Sequence, residues 1–166
     1  MPILCDSGPG RAGPKEVGRE QISLESLPRG SAKYVSMAFA HTCLPPIVMD
    51  VLSKMAHDIP SPRITYRCHD LQQGEHFGHG KFHRDGLACP QEVHCLLIIG
   101  EAPTLGEEGF IMSPGIVWEY SGTYLHRTCP APSAGPRLML RVSKTNKGFI
   151  NNWSFYTATG RTKNQT

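Results

Sequence analysis

A histidine and a carboxylate two positions apart, His83 and Asp85, lie in the densest run of potential ligands in the chain, Glu75-His76-Phe77-Gly78-His79-Gly80-Lys81-Phe82-His83-Arg84-Asp85-Gly86. On an extended backbone, side chains alternate between faces. Both residues then point the same way, about 7 Å apart along the strand. An imidazole and a carboxylate aimed at one point supply two of the three protein ligands of a facial iron triad, which leaves coordination positions open for an oxidant and a cosubstrate. His79 and His83 also stand at i and i+4, but Gly78 and Gly80 disfavour a helix there and no HExxH pattern accompanies them. With 8 His and 14 acidic residues in 166, chance supplies about one His-x-Asp/Glu pair. The pair therefore gains its weight from its place, at the end of a short extended segment beside glycines.

The third ligand has to come from a distant strand. His126, in Trp118-Glu119-Tyr120-Ser121-Gly122-Thr123-Tyr124-Leu125-His126-Arg127, is the candidate, far enough after Asp85 for several strands to cross a sheet and return. Beyond it, Arg137 to Ser143 alternates, with Leu138, Leu140 and Val142 on one face and Arg137, Met139, Arg141 and Ser143 on the other. Arg141 with Ser143 suits a carboxylate, because a guanidinium binds one bidentately and the hydroxyl donates a further bond. Arg137 is a rival anchor on the same face. Arg63 and Arg67, opposite Ile64 and Tyr66, read as a solvated strand face, or as anion-binding groups if that face opens into a barrel.

The elements that must position these groups are short strands. Lys33 to His41 alternates and predicts a strand. Pro45-Pro46 followed by Ile47, Val48, Val51, Leu52 and Met55 predicts an amphipathic helix over 46–58. Strands are then expected at Arg63–His69, Lys81–Asp85, Val93–Ile99, Gly109–Met112, Ile116–Tyr120, Thr123–Arg127, Arg137–Ser143 and Phe149–Tyr156, separated by Gly- and Pro-rich breaks. This pattern predicts a mainly β sandwich or barrel with a helix packed outside. Residues 1–31, rich in Gly and Pro, are expected to form a flexible arm or lid, and 32–166 a single β-barrel domain.

Composition narrows the function classes. The 39% hydrophobic and 19% charged content fits one folded domain, and a net charge of +3 without basic clusters argues against a nucleic-acid partner. No apolar run approaches the length of a membrane span, and no signal-peptide pattern opens the sequence, so a cytoplasmic protein without a membrane partner is expected. The six cysteines show no CxxC pair and are expected to be reduced.

The order His83-x-Asp85, then His126, then Arg141-x-Ser143, over residues 63–156, resembles the Fe(II)- and 2-oxoglutarate-dependent dioxygenases, built on a double-stranded β-helix or jelly-roll. The Pro-Gly turn before the strand leading to His126 is also similar to that family. The resemblance implies that His83, Asp85 and His126 bind Fe(II), and that Arg141 with Ser143 binds the distal carboxylate of 2-oxoglutarate. It further implies that Tyr66 adds a cosubstrate contact. The implied reaction uses O₂ to oxidise, by default to hydroxylate, a C–H bond of a small-molecule substrate, with release of succinate and CO₂. Two alternatives remain: a cupin-like metalloenzyme that uses other histidines, such as His76 or His79, and needs no 2-oxoglutarate; and a non-catalytic β-sandwich binding module.

Overall fold

The computed structural model describes residues 13–76, 80–156 and 162–164. Its elements, in chain order, are β1 (Lys15–Arg19), β2 (Gly30–Val35), α1 (Met37–Cys43), α2 (Pro46–Met55), β3 (Arg63–Leu71), β4 (Val93–Ile99), β5 (Thr104–Gly106), β6 (Ile111–Met112), β7 (Ile116–Ser121), β8 (His126–Thr128), β9 (Gly135–Lys144), β10 (Ser154–Tyr156) and β11 (Thr162–Asn164). The fold is mainly β, as the sequence predicts, with two flanking helices, of which α2 is the predicted one.

Among the described residues the strands form an eight-stranded antiparallel sheet, ordered β1-β7-β4-β9-β3-β2-β10-β11, and a three-stranded sheet, β6-β5-β8. A bridge between His83 and His126 adds the His83 segment to the free side of β8. From Arg63 to Lys144 the chain crosses between the sheets in a fixed order. The first, eighth, third and sixth segments are neighbours in the large sheet (β3-β9-β4-β7). The second, seventh, fourth and fifth are neighbours in the small one (the His83 bridge, β8, β5, β6). That winding is a double-stranded β-helix, the jelly-roll solution that folds eight antiparallel strands into two facing sheets.

The period of two along the central strands separates a helix-covered face from an interior one. Ile64, Tyr66 and Cys68 of β3, Leu138, Leu140 and Val142 of β9, and Cys95 and Leu97 of β4 pack with Val48, Val51 and Leu52 of α2 in one apolar core. The register Thr65↔Arg141↔Leu96↔Trp118 defines the other face. This face carries Arg67, Arg141, Met139, Arg137, His94 and Tyr120 towards the small sheet. Arg63 and Arg67 thus lie on the inner side of the large sheet, where Arg67 lines the cavity.

Several expected boundaries move. The alternation over Lys33–His41 is not one strand: β2 ends at Val35 and α1 starts at Met37. Ser36 caps that helix by accepting a hydrogen bond from the Phe39 amide at 3.1 Å, and the residues that reach the core, Ala40 and Leu44, follow the helical spacing of four. The next helix stops at Met55 rather than running to 58. Residues 13–31, expected to belong to a loose arm, instead supply β1, paired with β7, the buried Ile22 and Leu27, and the start of β2. The rest of that segment lies outside the described residues. Cys43, Cys68, Cys95 and Cys129 are free thiols, as expected, whereas Cys89 is disulfide-bonded. Among the described residues no helix is long and apolar enough to cross a membrane.

Candidate metal centre and its cavity

His83, Asp85 and His126 come together between the two sheets, with one ligand atom from each within 4.8 Å of the others. The His83–His126 bridge does the positioning. The His83 amide donates to the His126 carbonyl at 2.9 Å and the His126 amide to the His83 carbonyl at 3.1 Å. The two imidazoles consequently sit with ring centroids 4.6 Å apart. Asp85 follows two residues after His83 and shares its side, as the period of two requires.

Backbone carbonyls fix which ring nitrogen faces inward. His83 Nδ1 is 2.9 Å from the Lys81 carbonyl and His126 Nδ1 is 3.0 Å from the Tyr124 carbonyl. A carbonyl only accepts, so each Nδ1 carries a proton, and each ring turns its Nε2 towards the carboxylate, where an ion would take it as a ligand. Those Nε2 atoms face the carboxylate, at 3.7 Å from Asp85 Oδ1 for His83 and 3.0 Å from Oδ2 for His126. Two oriented imidazoles and one carboxylate, each backed by an outer hydrogen bond, make a donor set that could hold a divalent transition-metal ion.

Asp85 is buried and heavily engaged. The Tyr120 hydroxyl donates to Oδ2 at 2.5 Å, and Arg141 Nη1 lies 3.1 Å from Oδ1. Burial alone would raise the Asp85 pKa, but the Arg141 guanidinium and His126 outweigh it and hold the carboxyl well below its usual range. The same ion pair keeps Arg141 charged against the cost of its own burial. Burial, reinforced by the Asp85 charge, raises the Tyr120 hydroxyl far above its ordinary value, so it remains a donor.

A cavity of about 270 Å³ opens beside the triad, with Leu96, Ile98 and Met139 as apolar walls and Thr104, Thr128 and Arg137 among its polar lining. Arg137 and Arg141 share a face of β9 but lie about 14 Å apart at their Cα atoms, four strand residues at about 3.4 Å each. Arg137 is 1% exposed and donates from Nε to the Ala102 carbonyl at 2.7 Å and from Nη2 to Thr104 Oγ1 at 3.2 Å. Burial and the nearby Arg67 lower its pKa to about 9, which leaves it cationic at neutral pH.

The structure thus brings five of the residues singled out in the sequence, His83, Asp85, His126, Arg137 and Arg141, to one cavity. Ser143 faces the same side, but its hydroxyl is paired with His94 Nδ1 at 2.7 Å. Tyr66 is not brought there: it points into the helix-covered core, and its hydroxyl donates to the Pro28 carbonyl at 2.8 Å. His76 Nδ1 meets the Thr128 carbonyl at 3.2 Å and is not among the clustered ligand residues, and His79 lies outside the described residues.

Sequence reasoning passed over Tyr34, Lys33, Lys147 and Glu92. Tyr34 has φ +52° at a bulge in β2, a conformation costly for a non-glycine residue. The bulge turns its ring into the cavity beside Arg141, whose Cζ lies 5.2 Å from the ring centroid, and its hydroxyl accepts from the Gly86 amide at 2.9 Å. Glu92 is buried and accepts from the Leu87 and Cys89 amides and from the Thr145 hydroxyl. Gly86 has φ +65°, and a Cβ on it would fall 2.6 Å from Glu92 Oε2, so the turn after Asp85 closes over that carboxylate only with glycine. An acidic residue seven positions after a metal-ligand motif carries no signal of its own in one sequence.

No protein-family model matches the chain, and no curated protein matches it. Among solved structures it is similar to a sugar phosphate isomerase from a cupin superfamily, from Silicibacter pomeroyi DSS-3, at 10% identity. That alignment covers 88% of this chain and 93% of the other, with a TM-score of 0.36.

Proposed function

We propose that this protein is a non-haem Fe(II)- and 2-oxoglutarate-dependent oxygenase acting on a C–H bond of a small molecule. The observation that carries the reading is the inward-facing His83–Asp85–His126 triad at one end of a cavity with a buried arginine at the other. When bound, the iron supplies the redox chemistry with O₂, and 2-oxoglutarate supplies two electrons as it is converted to succinate and CO₂. Everything else falls to the chain. His83 and His126 present Nε2 donors held by carbonyls, and Asp85 is kept ionised by Arg141 and oriented by Tyr120.

The cosubstrate's distal carboxylate has to lie several ångströms from the metal, because three carbon–carbon bonds separate it from the keto carbon. Arg141 is committed to Asp85 beside the metal. Arg137, at the far end, with Thr104 next to it and the apolar side chains of Leu96, Ile98 and Met139 lining the same cavity, suits that carboxylate better. We therefore assign the anchor to Arg137, and to Arg141 the role of holding the metal ligand.

An anaerobic titration with Fe(II) and 2-oxoglutarate tests this through the visible charge-transfer band of the chelate. The band is expected in the wild type, lost in His126→Ala, and shifted to at least ten-fold higher cosubstrate concentration in Arg137→Met. Bound iron without a band would overturn the cosubstrate assignment and leave a cupin-like metalloenzyme. Absence of stoichiometric iron would overturn the metal centre itself.

A further inference from the structure

Cationic side chains dominate the charged lining of the cavity. Lys33, Arg67, Arg137, Arg141 and Lys147 all line it, and Asp85 is its one acidic lining residue among the described residues. Arg141 is answered by Asp85, and a distal carboxylate would answer Arg137. Lys33 and Lys147 line the same cavity as Tyr34 and have no acidic partner among the described residues. The bulge that gives Tyr34 its positive φ places Lys33 in this lining. Lys147 Nζ lies 4.3 Å from the centroid of the Tyr34 ring, the same ring that Arg141 approaches. The Lys147 ammonium is therefore one aromatic ring away from the Arg141–Asp85 pair, and Lys33 lines the same cavity.

These cations crowd one another. Burial, followed by the charges of Arg67, Arg141 and Lys147, lowers the Lys33 pKa. Like charges gathered at the mouth of a cavity destabilise the empty protein, and they attract and orient an anion that enters it. Arg67 also sits close enough to Arg137 to depress its pKa, so positive potential runs from the opening to the inner wall.

We infer that the substrate carries an anionic oxygen group, a phosphate ester or carboxylate, gripped between Lys33 and Lys147 at the mouth of the cavity. This rests on the proposed oxygenase reading for what happens to the substrate, but the anion site itself needs neither metal nor cosubstrate. The grip fixes one end of the substrate over Tyr34 and delivers a carbon close to that end to the triad. Neutral molecules lacking the group would bind without orientation.

The test is calorimetric titration of the metal-free protein at low ionic strength, with inorganic phosphate in one arm and malonate in the other. Binding is expected to weaken at least ten-fold in Lys33→Gln and in Lys147→Gln and to return in Lys33→Arg, with thermal unfolding showing each variant folded. Tighter phosphate binding would specify a phosphorylated substrate, and tighter malonate binding a carboxylic acid; either supports the site. Affinity unchanged in both glutamine variants, or lost only in Arg137→Met, would place the anion on the inner wall and overturn the inference. The chelate band reports separately on the oxygenase reading. A band without anion binding sinks this inference alone, and anion binding without a band leaves the anion site on a different enzyme.

Discussion

Replacing Glu92 with alanine should unsettle the metal centre without touching a ligand. Glu92 is 1% exposed, and its carboxylate accepts from the Leu87 amide at 2.9 Å, from the Cys89 amide at 2.9 Å and from the Thr145 hydroxyl. Removing it strands a buried Cys89 N–H, a partly buried Leu87 N–H and a buried hydroxyl. At roughly 1–3 kcal/mol for each buried group left unpaired, less where water can enter, the loss amounts to about 3–5 kcal/mol. The desolvation of the carboxylate is relieved at the same time, which places the expected value near the lower end. For a chain of this size about 3 kcal/mol corresponds to a fall in melting temperature on the order of 10 °C. Leu87 is two residues after Asp85, so slackening this turn should also weaken Fe(II) or Zn(II) binding about ten-fold. Urea unfolding and metal titration of Glu92→Ala and Thr145→Val, singly and combined, check both effects. Destabilisation by Glu92→Ala under about 1 kcal/mol, or strict additivity with Thr145→Val, would refute the claim that this carboxylate holds the turn.

Three further outcomes follow from the geometry. Tyr120→Phe removes the 2.5 Å hydrogen bond to Asp85 Oδ2 and should weaken metal binding about 10-fold while the fold survives, measured by competition with a metal indicator. His94, buried and beside Arg141, has its pKa lowered to about 4 from the ordinary 6.5. As pH falls below 6.5 the unfolded chain takes up a proton that the folded one refuses, so this group withdraws stability, on the order of 3 kcal/mol, between pH 6.5 and about 4. His94→Gln should remove that share of the acid sensitivity in urea midpoints taken with chelator present, and an unchanged pH slope would contradict it. Leu140→Ala, at a fully buried position between β3, β4 and the helices, should cost about 3–5 kcal/mol in urea unfolding with no selective loss of metal.

The mainly β class was legible because β3 and β9 keep strict alternation, whereas the double-stranded β-helix winding came only with the family resemblance. Leu138, Leu140 and Val142 against Arg137, Met139, Arg141 and Ser143 could be sorted without coordinates, and the structure sorts them the same way. What alternation cannot say is which face looks inward. Ile64, Tyr66 and Cys68 form an apolar set that meets the helices, so Tyr66 went to the core while its neighbours Thr65 and Arg67 went to the cavity. The triad was readable from His83-x-Asp85 and a distant histidine, since period two fixes the near pair. Lys33 and Tyr34 were hidden by a bulge, where one residue at positive φ breaks the very alternation used to read the strand. The choice between Arg137 and Arg141 needed a distance to Asp85, and spacing along one strand supplies none.

The reciprocal amide–carbonyl pair between His83 and His126 has a consequence for motion. These two hydrogen bonds close the small sheet at its edge, and the same two residues present the metal donors. An ion held by both imidazoles would therefore brace an edge that the backbone already closes. An ion bound to both imidazoles suppresses the local opening that would let solvent reach the two amides, and stripping the ion restores it. The His83 and His126 amide protons should accordingly exchange with deuterium more slowly in the metal-loaded protein, while amides in β9 keep the rate set by global unfolding. Proteolytic nicking near the His83 segment should track chelator concentration in the same way, so the ligand pair also serves as the latch of its own sheet.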